Sequence, residues 1–287
     1  MATDINRTTS IALPGEVSSE ILQKTQESSA VMSLAQQIKL PGLGVTIPVI
    51  TGDPEAAWVA ETEKKPVKRG TLDTKIMQPY TLAVIVPFSN QFRRDVPALY
   101  KQLVSRLPLA LAQKFDATVF GGVTAPGDNF DTLKTCTAQE IGTDAYAGLV
   151  AADADIADHN GILNGWVLSP KGKALLLNAV DANKRPLFIN SVAEGAVPMI
   201  LGSKTLQSKG AYVSGTPNVV GFAGDWTQAM YGTVEGVQIS IADQATLQDG
   251  ENTINLFQQN MFAVRAEIEV GFRCDTTVFN KLTKAAG

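Results

Sequence analysis

One histidine, two cysteines and scattered carboxylates are the side chains with which this chain of 287 residues could do metal or covalent chemistry. His159 alone cannot make a two-histidine metal motif. It stands between Asp158 and Asn160 at the end of a predicted helix, where a cation complements the helix dipole. Cys136 and Cys274 fit no metal-ligand spacing and read as reduced, buried thiols. Asp153, Asp155 and Asp158 imitate a calcium loop, but Ala157 occupies a ligand position and no glycine makes the turn. They read as the wet face of a helix. There is no G-x-S-x-G elbow, no G-x-x-x-x-G-K-[ST] phosphate loop and no G-x-G-x-x-G after a strand. The expectation is a protein without cofactor, metal or catalytic site. Carboxylates that meet in three dimensions still permit acid–base chemistry, so a cytoplasmic α/β enzyme with a polar cleft stands as the reading from another class.

The densest charge lies between Thr51 and Tyr80, where Glu61, Glu63, Lys64, Lys65, Lys68 and Arg69 surround Trp58 and are broken by Gly52, Pro54, Pro66 and Gly70. A structureless loop of that length is unusual in a compact domain, so the segment reads as a protruding two-stranded arm. Acidic neighbours make its basic cluster a poor DNA contact and suit it to salt bridges between subunits, with Trp58 as the anchor. A net charge of −4 and a pI near 5.2 agree, since neither describes a nucleic-acid clamp. No run approaches the ~20 apolar residues of a membrane span, and MATDINRTTS lacks the regions of a signal peptide.

The elements that must carry this charge are unusually long. Asp95 to Gly122 reads as one helix, with Asp95 as cap, Pro97 in the first turn and Gly121-Gly122 as the stop. Val96, Leu99, Leu103, Leu107, Ala110 and Leu111 form its apolar stripe, and Pro108 predicts a bend. In FAVRAEIEVGFRC, Phe262 to Cys274 alternate without a break: the even positions are apolar, and Arg265, Glu267, Glu269 and Arg273 lie on the other face. Those four charges are candidate contacts between subunits.

Around these two elements the pattern is ordinary. Residues 1–40 hold only enough apolar surface for an amphipathic turn or two, and must lie on this chain's body or a neighbour's. Val45–Ile50 and Thr81–Phe88 read as strands. Asp144 caps a helix ending before Gly161, Leu163–Leu168 is a buried strand, and Ser169-Pro170 opens a second helix. Trp226–Val234 and Val237–Ala242 flank Glu235-Gly236 and read as a hairpin. The predicted class is α+β, with a mixed domain at 133–250.

This order of elements resembles the major capsid protein of tailed bacteriophages, the Hong Kong 97-type fold. The resemblance rests on LPGEVSSEIL, on Trp58-Val59-Ala60-Glu61, on Pro87-Phe88-Ser89 and on Lys114-Phe115-Asp116 before Gly121-Gly122. It continues in Gly224-Asp225 and Arg265-Ala266-Glu267. It implies an N-terminal arm at 1–44, an extended loop with flanking strands at 45–88, a peripheral domain at 89–132 and 251–287, and an axial domain at 133–250. It further implies pentamers and hexamers closing an icosahedral shell around double-stranded DNA, assembled in the host cytoplasm. A separate scaffolding protein, or none, and a portal follow from it as partners, and a decoration protein on the outside is left open. The alternative within the same fold is an encapsulin-like bacterial compartment holding cargo enzyme.

Overall fold

The computed structural model describes residues 15–52, 71–91, 96–180, 183, 185–188, 199–250 and 252–285. Among the described residues, five α-helices and fifteen strands make a mixed α+β fold around two main sheets and one long helix. The long helix, α3 (Val96–Val119), runs 24 residues as one element through Pro108, roughly 36 Å at 1.5 Å per residue. It stops where the sequence says it should: Gly121 adopts φ +77°, and Gly122 N–H donates to the Ala117 carbonyl while Gly121 N–H donates to that of Thr118. Asp95, the expected cap, lies outside the described residues.

The first sheet has five strands: β1 (Gln36–Lys39), β4 (Tyr80–Ser89), β10 (Ala229–Thr233), β11 (Gln238–Ala242) and β14 (Met261–Cys274). β14 is its spine, at 14 residues and roughly 46 Å. β4 pairs along one edge of β14 from Met261 to Val270. β10 and β11 share the other edge, because Val264 pairs with both Val86 and Ile241, and Val270 with both Tyr80 and Thr233. The predicted hairpin at Glu235-Gly236 is therefore not formed. β10 and β11 run in the same direction, end to end along β14, and residues 234–237 only interrupt that line. A strand of 14 residues offers ladder sites for both segments, which a two-residue turn signal cannot reveal.

The inner face of this sheet buries Phe262, Val264, Ala266 and Ile268 against Leu103, Leu107 and Leu111 of α3. Beside α3 lies α1 (Gly15–Ser28), whose Ile21 is fully buried in the same cluster. This helix is longer than the turn or two read from its weak periodicity, because packing on α3 supplies what its own propensity does not. Residues 15–40 thus lie on this chain's own body: the Gln26 amide donates to the Tyr231 hydroxyl at 3.3 Å, and β1 runs parallel to β10.

The second sheet runs β5 (Thr137–Glu140), β15 (Phe279–Lys284), β9 (Asn218–Gly224), β6 (Gly165–Leu168), β8 (Ser203–Gln207) and β7 (Met199–Ile200). One face is covered by α4 (Ala145–Asp158) and α5 (Pro170–Leu177), through Leu149, Ala152, Ile156 and Leu176. Both helices start at the predicted caps: Asp144 accepts from Ala147 N–H, and Ser169 from Gly172 N–H. The other face meets the end of α3, where Phe120 stacks on Phe222 at 4.7 Å. The two sheets are joined at Gly224-Asp225, since β9 ends there in one and β10 begins beyond it in the other. Two shorter ribbons remain, β2 (Val45–Gly52) with β3 (Thr71–Met77) and β12 (Thr246–Asp249) with β13 (Asn252–Asn255).

Candidate assembly surface and its internal anchors

The outer face of the first sheet follows from the period of β14. With the apolar positions turned toward α3, Arg265 and Glu269 are exposed and Glu267 is half-buried. The Arg265 guanidinium meets Glu267 at 3.2 Å and donates to Ser240 Oγ on β11. Glu267 and Glu269 then line a cleft of about 170 Å³ together with Glu235, Gln238 and Thr81. That is small for a nucleotide or a drug-sized ligand, and among the described residues no group of three His, Cys, Asp or Glu is placed to hold a metal. Trp58, Glu61, Glu63, Lys64, Lys65, Lys68 and Arg69 lie outside the described residues.

Arg273 does something else. Its side chain is 11% exposed and turned into its own subunit. Nη1 reaches Asp131 at 2.8 Å, Nη2 donates to Asn129 Oδ1 at 2.7 Å, and Nε donates to the Ile76 carbonyl at 2.8 Å. Beside it, Lys75 Nζ donates to the Cys274 carbonyl at 2.9 Å, and Cys274 N–H donates to Asp131. A planar guanidinium reaches three acceptors from three separate nitrogens in a fixed fork, a spread that the single nitrogen of a lysine does not reproduce. Arg273, a candidate contact between subunits by its place on β14, makes three bonds to its own chain.

A second anchor was not foreseen. Asp116, on the last turns of α3, is 1% exposed. Its carboxylate accepts from Ser29 Oγ at 2.5 Å, Ser208 Oγ at 2.6 Å, Ala30 N–H at 3.0 Å and Val31 N–H at 3.4 Å. Ser29 caps α2 (Ala30–Leu34), and Ser208 precedes the turn Lys209–Ala211 below β8. One carboxylate therefore ties the N-terminal segment, the long helix and the second sheet together. Burial raises its pKa and the four donors only partly counter that. The sequence signal was a charge between Phe115 and Val119, both buried.

The sign of the resulting pH dependence is fixed. A carboxyl raised in the folded state contributes stability that is complete below its ordinary value of 3.8 and is lost as pH rises through the raised value. As pH falls from neutral through the raised value toward 3.8, acidification should favour the native chain relative to an Asp116→Asn variant. Urea midpoints of both proteins across the range check this, and a difference moving the opposite way would refute it.

The lone histidine and the two cysteines sit in structural positions. His159 Nδ1 lies 2.7 Å from the Asp155 carbonyl at the end of α4, as its position predicted. Burial pushes the Cys136 thiol up to about 12 and Cys274 well above its ordinary value, so both stay protonated and inert at neutral pH.

The geometry is one of long packed elements and charged faces, and comparison with known proteins says what kind. The sequence pattern of the phage capsid family matches residues 9–275. The chain belongs to the phage capsid family. A probable major capsid protein of Mycobacterium phage L5 is 32% identical over 294 residues, covering 94% of this chain and 89% of that one. Among solved structures, a chain of Gordonia phage Cozz superposes with a TM-score of 0.72 at 19% identity, covering 90% and 87%. The capsid of an empty GTA particle, computed with C5 symmetry, superposes at 0.65 with 15% identity, covering 90% of each chain. For this capsid-family chain, α3 and β14 are the frame, and the outer face of the first sheet carries the exposed Arg265 and Glu269.

Proposed function

We propose that this chain is the major shell subunit of a tailed-phage head, assembling as pentamers and hexamers into an icosahedral shell around double-stranded DNA. The observation that carries the reading is the family match along residues 9–275, joined to a relative that is itself a probable major capsid protein. The C5 symmetry of the GTA particle supports pentamers. The encapsulin-like alternative has no comparable support. The chain performs no catalysis in this reading, and a scaffolding protein, a portal and a decoration protein are its partners in the virion.

Within the subunit, the first sheet with α3 is the peripheral domain and the second sheet with α4 and α5 is the axial domain. The β2–β3 ribbon is the root of the extended loop. Its charged tip, with Trp58 as apolar anchor and Lys64, Lys65, Lys68 and Arg69 as cations, docks on the face of a neighbouring subunit that carries Glu235, Glu267 and Glu269. Exposed pairs are individually worth about 0–1 kcal/mol, so the network matters through repetition across the shell.

Charge reversal tests this. A chain with Lys64, Lys65, Lys68 and Arg69 all changed to Glu should fold normally and fail to close shells. Adding Glu267→Lys and Glu269→Lys should restore them in part, as read by sedimentation. Rescue that never exceeds the first variant would show that these faces do not meet.

A further inference from the structure

The root of the β2–β3 ribbon sits in a socket built from the first sheet. β10 and β14 pair Gly232 with Gly271, which leaves a notch in the sheet where every other residue would present a side chain. Met77, the last residue of β3, is fully buried there beside Leu40. A Cβ on Gly271 would stand 2.6 Å from the Gln78 carbonyl oxygen and 2.9 Å from Met77 Cγ, and a Cβ on Gly232 would collide with Leu40. Opposite the notch, Gly44 holds φ +88°, where a Cβ would meet the Met77 carbonyl at 2.5 Å. The polar side of the socket is Arg273, which holds the Ile76 carbonyl while bonded to Asp131 and Asn129, and Lys75, which holds the end of β14.

The apolar key and the polar clamp act on adjacent residues, 75–78, at the point where the chain leaves the ribbon for β4. A two-stranded ribbon is marginal by itself, so its direction is set by whatever fixes its base. Asp131 is in turn stitched to β14 through its own N–H, which donates to the Phe272 carbonyl at 3.1 Å. Asp131, Lys75 and the Ile76 carbonyl are thus all bonded to the long strand.

From this geometry we infer that Arg273, Asp131 and the Gly232–Gly271 notch are a mount that sets the direction in which the ribbon projects, making them positioning residues for shell assembly. The inference rests on the shell reading above. It differs from a contact between subunits: the bonds described are to their own chain, and they act on a neighbour through the ribbon.

The test is Gly271→Ala and Arg273→Ala in the full-length chain, with two readouts. Gly271 has no left-handed backbone requirement, so its Ala variant acts by pushing on the ribbon root alone. Amide exchange in residues 45–52 and 71–77 should rise about tenfold in both variants, while β4 and β14 keep their wild-type protection beyond the socket. Closed shells seen by electron microscopy should fall about tenfold or more. Shells at wild-type yield despite a loosened ribbon would overturn the inference. So would lost shells with unchanged ribbon exchange. Wild-type chain run alongside, with scaffold supplied to all three proteins, separates the two levels: if it stays a monomer or dimer the head reading itself fails, whereas shells from all three proteins overturn the mount alone.

Discussion

Asp116→Ala should lower stability by about 3 kcal/mol, the largest loss expected from one polar side chain. The substitution leaves Ser29 Oγ, Ser208 Oγ, Ala30 N–H and Val31 N–H without their acceptor. Each buried donor left unpaired costs about 1–3 kcal/mol. Against this, the variant escapes the desolvation that raises the Asp116 pKa, so the sum of four penalties is an upper bound. The effect should be local in origin but global in reach, because the N-terminal segment, the long helix and the second sheet all lose the same tie. Urea denaturation gives the number, with an unchanged m-value expected. A loss under about 0.5 kcal/mol would mean that water or backbone shifts replace the carboxylate.

Phe272→Ala should cost about 3–5 kcal/mol. Phe272 is fully buried on β14 and touches Phe115 of α3 edge-on at 6.3 Å and Phe130 at 6.0 Å. Phe130 in turn meets Phe115 and Tyr80, each at 6.2 Å. One ring therefore joins the long strand, the long helix, the 127–131 loop and β4. The surroundings cannot collapse into the space without moving α3, so the cavity penalty adds to the transfer loss. Thermal unfolding measures it. A cost below about 1 kcal/mol would contradict the view that α3 and β14 form one rigid frame.

The frame was readable in the sequence because its two elements are long and strictly periodic. Leu103, Leu107 and Leu111 repeat at the helical step, Phe262 to Cys274 alternate at the strand step, and all of these are buried as their pattern requires. What failed was information carried by distant partners. Glu235-Gly236 looks like a hairpin locally, yet β10 and β11 each find their ladder on β14, some thirty residues further along the chain. The two sheets exchange strands for the same reason. β15 belongs to the second sheet although it follows β14 of the first, and no local pattern announces that.

The charged surface was half legible. Alternation placed Arg265, Glu267, Glu269 and Arg273 on one polar face, and all four keep some exposure there, with Arg265 and Glu269 the most open. Arg273 is spent internally because the ribbon root crosses that same face at its far end. Gly271 carried the warning. A glycine inside an otherwise regular strand signals a close backbone approach, and the Gln78 carbonyl is what approaches. Asp116 carried a similar one, a carboxylate set among buried aromatic and aliphatic neighbours of the helix.

Negative-stain electron microscopy of the purified chain, with light scattering on the same sample, tests the central claim most directly. The account predicts closed shells, or pentamers and hexamers that close once a scaffold is supplied. A clean monomer or dimer that persists at high concentration with scaffold present would contradict it.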